Sequence, residues 1–119
     1  MAKFKDLDEL YSSLSKEAKD FYNLLFKSIK QIELPIKSKL FAGQLAFYLE
    51  ETLKKTFHSS PVVVIAFYAD HANIFASKNE FFQHKFIGSS LTKNLTIQIK
   101  YVSNINPDDL SNLIKESLY

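Results

Sequence analysis

The chain has 119 residues, the size of one folded domain with its own hydrophobic core. All 15 basic residues are lysines and there is no cysteine, which excludes guanidinium forks, disulfides, thiolate metal sites and thiol nucleophiles. The net charge of +2 and the 46% hydrophobic residues are typical of a globular protein. The N-terminal residues are charged and lack the apolar core of a signal peptide, and no apolar run is long enough to span a bilayer. We therefore expect a cytoplasmic protein.

Two helices are predicted before the first strand. Apolar residues recur at spacings of three and four through this region, which is the period of an amphipathic helix. Asp6 is suited to cap a helix over residues 6–13, with Glu9 placed to close a capping box. Ser15 is suited to cap a second helix over residues 16–31. We expect both helices to pack on a sheet and to keep their charged side chains in solvent.

The segment from Ile36 to Glu50 is rich in apolar residues and is interrupted at Gly43. A glycine in such a pattern predicts either two strands or one strand bent at that residue. Period-two alternation places Phe47 and its apolar neighbours on one face and Tyr48 on the other. Residues 50–60 are polar and predict a loop or a single helical turn.

The stretch over residues 61–77 is the most apolar of the chain, and its two apolar runs flank a short polar break at Asp70 and His71. This pattern predicts a tight β-hairpin in the middle of a sheet. With those two residues as the loop, Phe67 should pair with Ile74 on one face. The other face should carry Ala66, Tyr68, Asn73 and Phe75.

The rest of the chain predicts a short helix, a strand and a final helix. Residues 78–85 should form a helical turn that buries Phe81 and Phe82. Alternation from Leu95 to Tyr101 predicts a half-buried strand, and residues 107–118 predict a helix with Pro and acidic residues in its first turn. The fold class is therefore α+β, as one 1–119 domain: an antiparallel sheet of four to five strands packed in two layers against N-terminal and C-terminal helices.

Several segments carry a family resemblance. They are Ile36-Lys-Ser-Lys-Leu-Phe41, Leu45-Ala-Phe-Tyr48, Val64-Ile-Ala-Phe-Tyr-Ala-Asp-His-Ala-Asn-Ile-Phe75, Thr92-Lys-Asn-Leu-Thr-Ile-Gln-Ile99 and the closing helix from Asp108 to Leu118. In these segments the chain resembles the YdhG-like family of small bacterial domains, some of which are described as frataxin-like intracellular iron chaperones. The resemblance implies an α+β domain that is not an enzyme and that delivers iron or another metal.

Asp70 and His71 are the candidate metal ligands, at the mouth of the hairpin. The alternative is an exposed turn in which Asp70 bonds to the local backbone. His58 and His84 lie in predicted loop or short-helix segments, so a three-histidine site would depend on the fold.

The adjacent carboxylates Glu50-Glu51 and Asp108-Asp109 would point to opposite faces of a strand or lie at a helix start, so neither pair predicts acid/base catalysis. No nucleophile elbow or glycine-rich phosphate loop is evident, so we expect a binding protein rather than an enzyme.

If helices cover the face that carries Phe67, the opposite face is aromatic and partly polar. Its candidate ligand or interface residues are Tyr48, Tyr68, Asn73 and Phe75. We interpret it as a small-molecule site or a homodimer interface; alternatively, the last helix or the 50–60 segment covers it as ordinary core. A single-strand nucleic-acid binder would use the same aromatics with the lysines, but the absence of arginine argues against nucleic acid.

Overall fold

The computed structural model of the protein describes residues 4–102 and 104–119. The helices are α1 (Leu7–Ser13), α2 (Lys16–Lys30), α3 (Asn79–Phe82) and α4 (Pro107–Ser117). The strands are β1 (Lys37–Phe41), β2 (Gln44–Tyr48), β3 (Val63–Phe67), β4 (His71–Phe75), β5 (Ser90–Leu91) and β6 (Ile97–Lys100). All neighbouring strands are antiparallel, in the order β1-β2-β3-β4-β6-β5. The α+β architecture is confirmed, with six strands in the described residues instead of four to five.

Each of the three longer helices has a capping side chain at its N-terminus. Asp6 and Ser15 each accept a hydrogen bond from a backbone N–H of the first turn, at 3.0 and 3.3 Å, and Asn106 does the same for α4 at 2.9 Å. These contacts satisfy N–H groups that have no partner inside a helix. The predicted capping box differs in one detail, because the Glu9 carboxylate accepts from the N–H of Lys5 rather than from that of the cap itself.

The segment around Gly43 forms two strands, which decides between the two predicted arrangements. Ala42 and Gly43 both have positive φ, at 53° and 76°, and they connect β1 to β2 as a two-residue loop. Positive φ at both loop positions is typical of a type I′ turn, whose twist matches that of the flanking strands. The chain therefore reverses at Gly43 instead of bending. Residues 50–60, predicted as a loop or one helical turn, contain two short 3₁₀ turns.

The β3–β4 hairpin has the predicted strands but a different register. Phe67 lies opposite Ala72, with residues 68–71 between them, so the predicted pairing of Phe67 with Ile74 is wrong. The N–H of Tyr68 donates to the carbonyl of His71 at 2.9 Å, which encloses Ala69 and Asp70 instead of Asp70 and His71. Neither Ala69 nor Asp70 has a positive φ, so this turn is not of type I′. Because the register shifts by two residues, every side chain stays on its predicted face.

The segment after β4 departs from the prediction that Phe81 is buried. Phe81 is 62% exposed and Phe82 is half-buried, whereas Asn79 is 1% exposed. The Asn79 side-chain amide donates to the carbonyls of Ile74 and Leu95, at 2.8 and 2.9 Å. The polar residue is buried because it joins the end of β4 to the β5–β6 turn, a long-range contact that periodicity does not reveal.

The last strand is shorter than its alternation predicts. Leu95 has a φ of 60° and is 48% exposed, so it belongs to the turn before β6 and not to the buried face. The two-residue strand β5 was not predicted, since two residues contain no detectable period. It pairs with β6 at the edge of the sheet.

One face of the sheet forms the core with α1, α2 and α4. Phe21 of α2 packs against Phe67 of β3, with ring centroids 6.3 Å apart, and Phe26 packs against Phe47 of β2 at 5.3 Å. Fully buried residues from the strands line this face: Leu45, Phe47, Val63, Ile65, Ile74, Ile97 and Ile99. None of the helices in the described residues combines the length and hydropathy needed to cross a bilayer.

Candidate binding site on the open face of the sheet

The face of the sheet opposite the core is called the open face below. Strand alternation places the predicted residues Tyr48, Asn73 and Phe75 on it, and Tyr68 follows β3 directly. The structure therefore brings the four predicted ligand or interface residues to one side of the sheet. The same alternation adds further residues to this face: Lys39, Gln44, Ala46, Ala66, Gln98 and Lys100.

The covering of the open face is partial. Helix α4 contributes its apolar side to the core on the other face, so the alternative in which the last helix covers the open face is wrong. The 50–60 segment covers one corner, where the Phe57 ring lies 4.7 Å from that of Phe41 and 5.4 Å from that of Tyr48. The Lys39 ammonium sits 4.0 Å from the Phe57 ring centroid, a cation–π contact. Tyr48 is thereby half-buried and separated from the exposed aromatics.

Two aromatic side chains remain exposed on the rest of the open face. Tyr68 is 48% exposed and Phe75 is 41% exposed. Between these two rings the sheet surface carries smaller side chains, those of Ala66 and of Asn73 on the neighbouring strand. The Asn73 side-chain oxygen is buried and has no hydrogen-bond partner among the described residues. An acceptor without a partner is costly in a folded protein.

Tyr68, Asp70 and His71 form a packed unit at the hairpin loop. The rings of Tyr68 and His71 are stacked, with centroids 4.7 Å apart and an angle of 11° between the planes. Nδ1 of His71 lies 2.7 Å from Oδ1 of Asp70, and this hydrogen bond lowers the pKa of Asp70. Because an ionised carboxylate only accepts, Nδ1 is the donor, and Nε2 is the ring nitrogen that this hydrogen bond does not use.

The hairpin loop is held by residues from two other elements. The Tyr101 hydroxyl donates to the Tyr68 carbonyl at 2.8 Å, and the Tyr101 N–H donates to the Asp70 carbonyl at 3.2 Å. The Ser15 hydroxyl donates to the Ala69 carbonyl at 3.3 Å. Burial raises the pKa of Tyr101 to about 12, so its hydroxyl stays a donor at neutral pH. The exposed Tyr68 ring therefore projects from a fixed backbone.

A groove of about 640 Å³ adjoins the open face at this end of the sheet. It lies between the α1–α2 junction, the β1–β2 turn and the hairpin loop. Gln44, Ala66 and Tyr68 belong to both the groove and the open face, so the surface beside Tyr68 is concave rather than flat.

The candidate metal ligands Asp70 and His71 bind each other. No group of three or more His, Asp or Glu side chains within 4–102 and 104–119 is arranged to hold a metal ion, whereas protein metal sites usually need about three or four ligands. His84 lies in an exposed 3₁₀ turn, and the side chain of His58 is outside the described part of the structure. Nε2 of His71 is the one feature of this pair suited to a metal.

The charges of the sheet are of one sign. The six strands contain three lysines, Lys37, Lys39 and Lys100, and no Asp or Glu. Lys37 forms a salt bridge with Glu50 at 2.8 Å, which raises the pKa of the lysine. Lys100 forms no salt bridge with any residue that the structure describes. The open face therefore favours an anionic occupant.

Sequence reasoning did not single out several residues of this site. Lys39 and Lys100 could have been found, since they alternate with buried positions in β1 and β6. Phe57 reaches the site only through the folding of the 50–60 segment, and no local pattern marks it. Tyr101 was expected as the end of the last strand, but its contacts with the hairpin loop are long-range.

No family model matches this chain, and neither a curated protein nor a solved structure matches it significantly. The resemblance to the YdhG-like domains therefore stays a prediction based on the sequence motifs.

Proposed function

We propose that this protein is a binding module rather than an enzyme, and that the open face of its sheet is the binding surface. The observation that supports this most directly is the exposure of Tyr68 and Phe75 on a sheet face that the helices leave uncovered. Exposed aromatics on a rigid surface are typical of binding sites, because they bury a large area at a small cost in conformational entropy.

The proposed occupant is a small molecule rather than a second copy of the chain. In a symmetric dimer through the open face, strands that carry lysines and no carboxylates would face each other. Like charges brought together in this way oppose association. The groove beside Tyr68 gives a small ligand a concave surface.

The test is to map the binding of simple aromatic probes by NMR. Indole and benzoate are titrated into ¹⁵N-labelled protein, and we expect the shifted amides to cluster on β3, β4 and β6. Tyr68→Ala and Phe75→Ala should each weaken the saturable binding by about fivefold to tenfold, the value of one lost aromatic contact. Phe81→Ala is the matched control, because Phe81 is 62% exposed but lies on α3.

Two results would overturn this proposal. The first is that the probes shift amides of the helical layer, or shift none in a saturable way. The second is a dimer, detected by light scattering, that Phe75→Ala dissociates, since the open face would then bind a second copy.

Delivery of iron or another metal is the second candidate, supported by the 2.7 Å contact between Asp70 and His71 and by the family resemblance. Its test is an anaerobic titration of the purified protein with ferrous iron, following the melting temperature, with zinc and magnesium as controls. Saturable stabilisation that is selective for iron and weaker in His71→Ala would support this function. No shift at a large excess of iron would refute it.

A further inference from the structure

Five residues at the hairpin end of the open face lie side by side. His71 pairs with Lys100 and Asn73 pairs with Gln98 across β4 and β6, and Tyr68 stacks on His71. Neighbouring strands are about 5 Å apart and alternate residues of one strand about 7 Å. These residues, called the hairpin corner, therefore span the area of one flat ring system with a substituent.

The hairpin corner contains the three kinds of group that such a ligand needs. Tyr68 presents an exposed aromatic ring on a loop that Tyr101 and Ser15 hold in place, which suits stacking. Asn73 has a side-chain oxygen without a partner, and a donor N–H on a ligand could supply the missing hydrogen bond if the amide turns outward. Gln98 adds a second side-chain amide beside it.

Charge identifies the ligand's remaining group. Lys100 has no salt bridge among the described residues, whereas Lys39 lies against the Phe57 ring and Lys37 binds Glu50. Lys39 is also four strand spacings from Lys100, about 19 Å away, so one small ligand cannot reach both. An acid group placed near Lys100 would gain a charge-assisted hydrogen bond.

Taking the open face as the binding surface, as proposed above, we propose that the hairpin corner binds a flat, hydrogen-bonding heteroaromatic ring that carries an anionic group. The ring stacks on the face of Tyr68 that His71 leaves free, an amino N–H attached to the ring bonds to Asn73, and the anion contacts Lys100. The carboxylate of Asp70 at the edge of this corner is hydrogen-bonded to His71 and interacts with the charge of Lys100, so the ligand's anion competes with it for that lysine.

Adenosine 5′-monophosphate serves as the probe of this chemistry, with adenosine and inorganic phosphate as its two parts. All three are titrated into the ¹⁵N-labelled full chain. We expect the monophosphate to bind at the hairpin corner about tenfold more tightly than either part. Lys100→Gln should remove the advantage over adenosine, Tyr68→Ala should weaken both, and Lys93→Gln in the exposed β5–β6 turn should change neither.

The outcomes separate this proposal from the broader one. Equal affinities for adenosine and its monophosphate, or shifted amides that lie away from the hairpin corner, would overturn the proposed ligand class. Binding of indole or benzoate on the open face would still support the broader proposal that this face is a binding surface. If a single-stranded oligonucleotide bound far more tightly than the monophosphate, with a steep dependence on salt, the occupant would be nucleic acid and the small-molecule ligand would be refuted.

Discussion

Removing the Tyr101 hydroxyl tests whether the hairpin loop is held from outside. In Tyr101→Phe the ring keeps its packing against Phe21, whose centroid lies 5.6 Å away. The variant loses only the 2.8 Å hydrogen bond to the carbonyl of Tyr68. Any effect can therefore be assigned to that bond rather than to a cavity.

The expected loss of stability is about 0.5–1 kcal/mol. One hydrogen bond contributes about 1 kcal/mol net, and the bond to the Tyr68 carbonyl is solvent-exposed, so water partly replaces it. For a domain of 119 residues this corresponds to a decrease in melting temperature of about 2–4 °C. Urea unfolding near pH 8 measures it, with Tyr119→Phe as the control, since Tyr119 is 63% exposed.

The same variant has a pH signature. The pKa of Tyr101 rises from 10.0 to about 12 on folding, so the folded state retains the proton more strongly than the unfolded state does. The resulting stability is present below pH 10 and is lost as the pH rises through 12. Tyr101→Phe lacks this titration, so its deficit relative to the wild type should narrow between these values. An unchanged urea midpoint near pH 8, or a deficit that stays constant up to about pH 12, would refute the reasoning.

Two further predictions concern stability. Asn79→Ala removes one buried and one partly buried hydrogen bond to backbone carbonyls and should cost about 2–3 kcal/mol in urea unfolding. Asn112→Ala on the exposed side of α4 should cost less than about 0.5 kcal/mol. Equal costs would show that the Asn79 bridge contributes nothing. Ala42→Asn creates the Asn-Gly pair that type I′ turns prefer and should raise the free energy of unfolding by about 0.5–1 kcal/mol. Gly43→Ala places a side chain at a φ of 76° and should lower the free energy of unfolding by a similar amount. The same sign for both would contradict the turn assignment.

Local signals were reliable where one segment alone carries the information. Asp6 and Ser15 cap helices as predicted, because a cap needs only its own first turn. Face assignments in β2, β3 and β4 were also correct, because the two-residue period survives a shift of register by two. The same period identified most of the open face.

Errors occurred where a distant contact outweighs a local pattern. Phe81 was expected inside by its hydrophobicity, yet Asn79 is the buried residue because it bonds to Ile74 and Leu95. The hairpin loop lies one residue earlier in the chain than expected, and its carbonyls are satisfied by Tyr101 and other residues far along the chain. These partners belong to other elements, so no window around the loop contains them.

The amino-acid sequence by itself determined the α+β class, the helix starts and which side chains share a face, since caps and periods act over a few residues. Only the tertiary structure decided that α4 packs with α2 on the core face, which leaves the opposite face open. It also decided that Phe57 covers the Tyr48 corner while Tyr68 stays exposed beside Asn73 and Lys100, a lysine with no salt bridge among the described residues. A binding surface depends on which elements pack where, and long-range packing determines that arrangement.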